Sequence, residues 1–468
     1  MATGSTLVLA TPADPTEGDR LTFHWTTSAP DPKNWVGIYD GTRQPGTGSS
    51  LLWKYTPGGS GDVQLDTSAL TGGPYTAYLL AKDGYGILAQ TGPFGFRPKP
   101  AAPRPHAVVD ALTTAQVAPG AAVSVKLGGL WTKGTGAAAY RKVSGDAWLS
   151  VAADGTVSGT APAAQAHPAH VTVGIKDPSG ATDTVTVQIP VRDPAGPLTL
   201  KTATWNLANA GAAFTDAAEK QLRAVLTQGL DVVALQETAG TAAQSLATTL
   251  GWYAYQSSGS VGILSRWPLT AVTAPTAALP AAGATVQLPG GRTVRFWAAH
   301  LDEGNYGPYA IRDGQSAAQV QSAEASSTRG QQAQALATAV RADIAAGAGV
   351  VLAADLASPS HLDWTGAGSR PALAWPVTVA LQNAGLTDAY RGAHPDPVAS
   401  PGNTWSPTRT LRGTEPEPQD RIDQVQYAGA LTLVEAHTLA TGWPQAEPNA
   451  AGNGWPSDTA AAVATFTL

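Results

Sequence analysis

The chain has no cysteine, one methionine and only 13% charged residues. Without cysteine, disulfides, thiolate metal sites and a cysteine nucleophile are excluded. A disordered chain needs high charge and few apolar residues, whereas 43% of this one is hydrophobic. No segment approaches the roughly 18 consecutive apolar residues that cross a bilayer. The opening Met1-Ala-Thr-Gly-Ser-Thr-Leu7 lacks the basic region and apolar stretch of a signal peptide. A net charge of −6 argues against a broad basic face of the kind that coats nucleic acid. What is plentiful is Gly (51) and Pro (36), about a fifth of the chain, which favours short strands and turns in part of the molecule. At 468 residues the chain exceeds what one core organises, and about three units are expected.

The first unit is expected over residues 1–97. Leu21-Thr-Phe-His-Trp25 alternates apolar with polar, and Asn34-Trp-Val-Gly-Ile-Tyr39 and Thr76-Ala-Tyr-Leu-Leu80 are further strand-like runs. Gly58-Gly-Ser-Gly61 and Thr71-Gly-Gly-Pro74 supply turns, so a small β-sandwich is expected. Trp35 and Tyr39 are read as sandwich core, with a binding surface as the alternative. The segment 98–105 carries four prolines in eight residues and reads as an extended linker. A second sandwich is expected over 106–194, on the alternating runs Ala122-Val-Ser-Val-Lys-Leu127, His170-Val-Thr-Val-Gly-Ile175 and Thr184-Val-Thr-Val-Gln-Ile189. His167 and His170, three apart but with no nearby acidic or cysteine cluster, are read as surface residues.

From Leu198 to the end the texture changes to strand-like runs alternating with Ala/Gln-rich helical ones. Helices are expected over 217–228 and 324–346, and buried strands at Asp231-Val-Val-Ala-Leu-Gln236 and Val350-Val-Leu-Ala-Ala354. This is an α/β unit large enough for two packed sheets with helices outside. It also holds the whole acidic balance: 14 basic and 20 acidic residues lie from position 198 onward, against 14 and 14 before it. Carboxylates recur at its strand ends: Glu237, Asp355, Asp423 and Asp458. Loops converge at strand ends in α/β folds, and several carboxylates in one cleft repel unless a cation neutralises them. Oxygen ligands without thiolate select Mg²⁺, Mn²⁺ or Ca²⁺, ions that suit phosphoester hydrolysis.

The ordered series Trp205-Asn206, Gln236-Glu237, His300-Leu-Asp302, Asp355, Arg421-Ile-Asp423 and Ser457-Asp458 resembles the endonuclease/exonuclease/phosphatase superfamily of metal-dependent phosphoesterases. The first two units resemble immunoglobulin-like or fibronectin-like and cadherin-like modules. The resemblance implies two N-terminal all-β sandwiches followed by a four-layer α/β sandwich, with Mg²⁺-dependent attack of water on phosphorus. It places Asn206, Glu237 and Asp458 at the metal end. It gives His300 a hydrogen bond to the phosphate, Asp355 the orientation or deprotonation of water, and Asp423 the positioning of a closing histidine. Two positions depart from the pattern. The family's Gly-Asp-x-Asn reads Ala354-Asp-Leu-Ala357, and its Ser-Asp-His reads Ser457-Asp-Thr459. Neither an Ala methyl nor an unactivated Thr hydroxyl replaces the missing amide and imidazole.

Tyr306, Tyr309, Arg329 and Trp405 are candidate substrate-rim residues. His361 and His394 are read as structural or substrate-rim residues and His437 as a strand-surface residue, so no replacement histidine is apparent. The functional expectation is a metal-dependent hydrolase of a phosphodiester or phosphomonoester with impaired chemistry. The acidic balance favours a small or lipid-derived phosphate over duplex DNA. The alternatives are a non-catalytic phosphate- and metal-binding protein, or a deliberately inactivated variant. A secreted location is expected, the export signal having been removed, with the cytoplasm as the alternative.

Overall fold

The computed structural model describes residues 4–12, 15–40, 43–98, 104–163 and 168–468. Most of the Pro-rich segment, and His167, lie outside these residues. The chain divides into two compact units, residues 1–102 with 440–455, and residues 103–439 with 456–468.

In the first unit a three-stranded sheet, ordered Thr6–Thr11, Leu21–Thr26, Ser60–Leu65, faces a four-stranded one. The latter is ordered Leu52–Tyr55, Trp35–Asp40, Tyr75–Ala81, Gly86–Gln90. Alternation drives the sandwich: Leu21, Phe23 and Trp25 point inward against Val36, Ile38, Ala77 and Leu79. The opposite face of the four-stranded sheet is apolar too, with Trp35, Tyr39, Tyr78 and Leu80 forming a second buried cluster. Residues 440–455 belong to this unit. Trp443 lies where a Cβ on Gly95 would collide with it, and Arg97 donates to Gln445 Oε1 at 3.2 Å.

The second unit begins with another all-β module. It contains a three-stranded sheet ordered Ala122–Lys126, Thr156–Thr160, Leu149–Val151. A four-stranded sheet is ordered Ala139–Gly145, Ala169–Lys176, Thr182–Ile189, Ala111–Thr113. His170 sits at its surface, 3.4 Å from Asp146. The module is tied to the α/β part by polar contacts: His106 Nε2 to Glu219 Oε1 (3.0 Å), Lys133 Nζ to Asp216 Oδ2 (2.7 Å), and an Arg266 guanidinium bond to the Thr113 carbonyl (2.8 Å).

The α/β part has two six-stranded sheets packed face to face. One is ordered Tyr253–Gln256, Gly262–Ser265, Val232–Gln236, Thr199–Asn206, Ala461–Thr467, Thr432–Leu439. The other is ordered Leu269–Thr273, Ala281–Gln287, Thr293–His300, Val350–Asp355, Asp423–Ala428, Thr387–Asp388. Leu200, Val232, Ile263 and Phe466 from the first meet Val286, Phe296, Val351 and Val425 from the second. Helices Thr328–Ala345 and Pro376–Asn383 cover the outer face of the second sheet. Helix Ala242–Leu250 packs on strand Gly262–Ser265 of the first, completing four layers. The central strands run parallel in pairs, Asn206 beside Gln236 and His300 beside Asp355, while Asp355 also faces Asp423 across an antiparallel pair.

The continuous helix expected over 324–346 is instead two helices, Ala317–Ser326 and Thr328–Ala345. Ser327 adopts an extended ψ of 163° and its side chain accepts the Gly330 amide, so an N-cap hydrogen bond wins over continued helix. Among the described residues, no helix is long and apolar enough to cross a membrane.

Candidate active site

The parallel pairing brings the ends of four central strands to one edge of the two sheets. Asn206 ends Thr199–Asn206 and is buried, and its amide Nδ2 donates to Glu237 Oε1 at 2.9 Å and Asp355 Oδ2 at 3.0 Å. One amide thus bridges the two sheets. Ala208, Asn209 and Ala210 follow with φ of 49°, 54° and 55°, three consecutive left-handed residues of which none is glycine. Each such residue costs about 1–2 kcal/mol. The turn aims main-chain amides at the site: Ala208 N donates to Asn206 Oδ1 (2.9 Å) and Asn209 N to Glu237 Oε2 (2.8 Å). Glu237 is itself left-handed, with φ of 50°. Strain of this kind persists only where surrounding contacts over-determine it, and it clusters at functional sites.

Ser260 links the two sheets a second time. Its Oγ accepts the Glu237 amide (3.0 Å) and lies 2.7 Å from His300 Nδ1. With the hydroxyl proton given to Nδ1, the imidazole carries its own proton on Nε2, the nitrogen 3.9 Å from Asp355 Oδ2. Asp355 is buried, and its Oδ1 accepts the Ala357 amide at 2.9 Å. Glu237, His300 and Glu303 bring ligand atoms within 4.8 Å of one another.

Asp423 is completely buried, and neither of its carboxylate oxygens has a hydrogen-bond partner among the described residues. The Thr404 hydroxyl beside it accepts the Ile422 and Asp423 amides (3.0 Å each) but makes no bond of ordinary geometry to the carboxylate. Burial pushes the Asp423 carboxyl well above the usual range and the neighbouring charge of Asp355 pushes the same way; the nearby Thr404 hydroxyl opposes this, and the Asp458 charge adds to it. Asp458 is also raised, chiefly by burial; the Arg409 guanidinium, 2.9 Å from Oδ2, opposes this and the Glu237 charge adds to it. Thr459 and Ala357 are both buried. Ala357 has φ of 46°, a conformation that suits asparagine better than alanine.

The candidate rim residues divide. Tyr309 Oη and Trp405 Nε1 both donate to Glu417 Oε1, at 2.6 and 2.7 Å. Arg412 stacks 4.0 Å from the Tyr309 ring centre and Arg409 5.1 Å from that of Trp405, making a basic, aromatic wall that reaches Asp458. Tyr306 turns inward and donates to Asp420 Oδ2 at 3.0 Å. Arg329 is not at a rim. It is fully buried, pairs with Glu324, and donates to the carbonyls of Asp302, Gly304 and Asn305, which fixes the loop that carries Glu303. Arg421 is buried between Asp363 and Asp388, so it braces the strand that ends in the site rather than entering the site. His361 is held by Thr378 and Gln382, His394 by the Ala436 carbonyl, and His437 lies on strand Thr432–Leu439.

A family model described as the endonuclease/exonuclease/phosphatase family matches residues 203–458, more than half of the chain. The chain belongs to that family. An uncharacterized protein of Caenorhabditis elegans, F14F9.5, is 29% identical over 294 residues, spanning 58% of this chain and 91% of that protein. Two solved structures of the same family are also similar. That from Beutenbergia cavernae is 18% identical, covering 58% of this chain and 72% of the other, with a TM-score of 0.38. That from Bacteroides thetaiotaomicron is 13% identical, covering 58% and 99%, also with a TM-score of 0.38.

Within this family member the sequence reading missed Ser260, Asn209, Glu303 and Arg409. Asn209 carried a signal, since asparagine is enriched in left-handed turns. Glu303 follows directly on His300-Leu-Asp302, and the others act through loop geometry that spacing does not encode.

Proposed function

We propose that this protein is a metal-dependent phosphoesterase that hydrolyses a phosphodiester or phosphomonoester by in-line attack of water, with its proton-accepting end incomplete. The observation that supports this reading best is the fully buried carboxylate of Asp423, which has no hydrogen-bond partner of ordinary geometry among the described residues, beside an otherwise connected set of Asn206, Glu237, His300 and Asp355. A partnerless buried acid is costly, and an imidazole at position 459 is the group that would satisfy it.

The donor set suits a divalent cation: it is oxygen-rich, lacks thiolate, and holds Asp458 and Glu237 close enough for their charges to repel. Asn206, Glu237 and Asp458 would hold Mg²⁺, or Mn²⁺ or Ca²⁺, with Glu303 beside them. When bound, the ion would offset negative charge on the phosphoryl and leaving-group oxygens. The chain's own groups divide the remaining work. His300, with its proton on Nε2, donates a hydrogen bond to a phosphoryl oxygen. Asp355 orients the attacking water and is the retained candidate base. Ala357 offers the nucleophile no amide, and Thr459 no imidazole. Arg409 and the Tyr309–Trp405 wall would flank the leaving side. The acidic balance of this half favours a small or lipid-derived phosphate, and the modular β-rich N-terminal half fits an extracellular protein.

The second reading, a phosphate- and metal-binding protein without turnover, is motivated by Ala357 and Thr459. Hydrolysis of bis(p-nitrophenyl) phosphate with Mg²⁺, together with the thermal midpoint with and without the ion, separates the two. Slow turnover and a raised midpoint, both lost in Glu237→Ala, support the enzyme. A raised midpoint without turnover supports the binding protein. Absence of both overturns the site.

A further inference from the structure

The outer face of the four-stranded sheet in the first unit carries a feature that the phosphoesterase site does not use. Trp53 and Tyr55, on the edge strand, are 54% and 44% exposed, and Tyr85, on the adjoining turn, is 55% exposed. They surround the buried Trp35: the Trp53 and Tyr85 rings meet it edge-on at 6.0 and 6.2 Å, and Tyr55 meets Trp53 edge-on at 5.1 Å. Trp35 is fixed in turn, since its Nε1 donates to the Gly84 carbonyl at 3.1 Å. A Cβ on Gly37 would come within 2.6 Å of its ring. The exposed rings are therefore set by packing rather than free to collapse, which lowers the entropic cost of binding against them.

Polar groups sit at the margin of the same patch. The turn places Lys82 and Asp83 in the left-handed region, φ 54° and 59°, held by the Asp83 amide on the Lys33 carbonyl (3.0 Å) and the Lys82 amide on Asn34 Oδ1 (3.2 Å). This turn presents Asp83 beside Tyr55, whose hydroxyl donates to Asp83 Oδ1 at 2.7 Å, while Lys33 Nζ donates to Oδ2 at 2.7 Å. A turn with two consecutive left-handed residues that are not glycine, a partly exposed carboxylate, an ammonium group and three exposed rings thus converge.

We propose that this face is a glycan-binding platform, with Trp53 and Tyr85 stacking on the C–H faces of sugar rings. Asp83 and Lys33 then supply an acceptor and a donor to neighbouring hydroxyls. A polyhydroxylated ring offers the matching chemistry, apolar on its faces and able both to donate and to accept at its edge. An anionic membrane does not match, because the ammonium here is already neutralised by a carboxylate that would be driven against the headgroups. The platform would hold the protein at a polysaccharide surface independently of what the phosphoesterase site hydrolyses.

The test uses the full chain, with retention on chitin and cellulose suspensions and affinity electrophoresis in gels containing soluble β-glucan or mannan. Retention or retardation by at least one of these is expected, weakened about tenfold or more by Trp53→Ala and by Tyr85→Ala. Tyr253→Ala, at an exposed ring outside this patch, should change nothing. Circular dichroism and the thermal midpoint confirm that the variants fold, and the part-exposed rings make them tolerable. Absence of binding to all four glycans overturns the proposal. So does binding that the Trp53 and Tyr85 substitutions leave unchanged, or binding to phosphatidylcholine–phosphatidylserine vesicles in place of any glycan.

Discussion

Replacing Thr459 with histidine would test the account of the site at its weakest point. The side chain at 459 is buried, and among the described residues the Asp423 carboxylate has no hydrogen-bond partner of ordinary geometry. An imidazole there would give Asp423 a charge-assisted hydrogen bond, worth about 1.5–3 kcal/mol. Its added volume would cost about 1–3 kcal/mol in a packed site, so stability should change little. The rate should not stay put. A positioned general base is worth about 10²–10⁴ in rate, and an oriented donor about 10²–10³. Ala357→Asn supplies that donor and also removes a left-handed alanine, φ 46°, a conformation asparagine adopts more readily. The two gains need not multiply, because residues of one site act as a unit. In the Mg²⁺-dependent hydrolysis of bis(p-nitrophenyl) phosphate, Thr459→His should raise kcat/KM by about 10² or more, and the pair further. The pH profile should acquire a limb near the histidine value of about 6.5. If both variants fold, keep their Mg²⁺-induced rise in thermal midpoint, and hydrolyse no faster than the parent, then position 459 is not where the base belongs.

Other outcomes follow from the same geometry. Asp423 has a raised folded-state pKa, so its stabilising contribution is complete below the unfolded value of about 3.9 and is lost as pH rises through the folded one. Asp423→Asn should therefore be more stable than the parent at pH 8, by about 1–3 kcal/mol, and the gap should close on acidification, as read from urea unfolding in EDTA. Arg329→Ala leaves Glu324 buried and unpaired and should cost about 3–5 kcal/mol in the same measurement, whereas Arg329→Leu combined with Glu324→Leu should cost much less. Gly95→Ala drives a methyl group into Trp443 and should lower stability by about 1–3 kcal/mol or more, visible as an earlier transition of the first unit in calorimetry.

Alternation made the strands of both β-modules readable, and the shift to Ala-rich helical runs after Leu198 marked the α/β part, because these patterns follow directly from which face is buried. The candidate site was legible as far as strand ends reveal it: Asn206, Glu237, His300, Asp355 and Asp423, named from the sequence, lie together at one edge of the two sheets. Their convergence depends on the parallel pairing of Asn206 beside Gln236 and of His300 beside Asp355, and on the Asn206–Asp355 hydrogen bond that joins the sheets across 149 positions, and only the ordered motifs hinted at it. Arg329 was expected at the substrate rim and is buried instead, because nothing local reveals that Glu324, across the helix break at Ser327, will pair with it in the interior. Ser260 was invisible because a serine in a Ser/Gly turn carries no pattern, although its hydroxyl joins Glu237 to His300.

The return of residues 440–455 to the first unit has a practical corollary for any attempt to dissect the molecule. The polypeptide that leaves strand Thr432–Leu439 wedges Trp443 against glycines of the N-terminal sandwich before delivering Ser457 and Asp458. Cutting away the first hundred residues would strip residues 440–455 of the partners they pack against. The leading sandwich is thus completed by a segment from the far end of the sequence, and a truncation at residue 102 would leave Trp443 without the glycines it packs against.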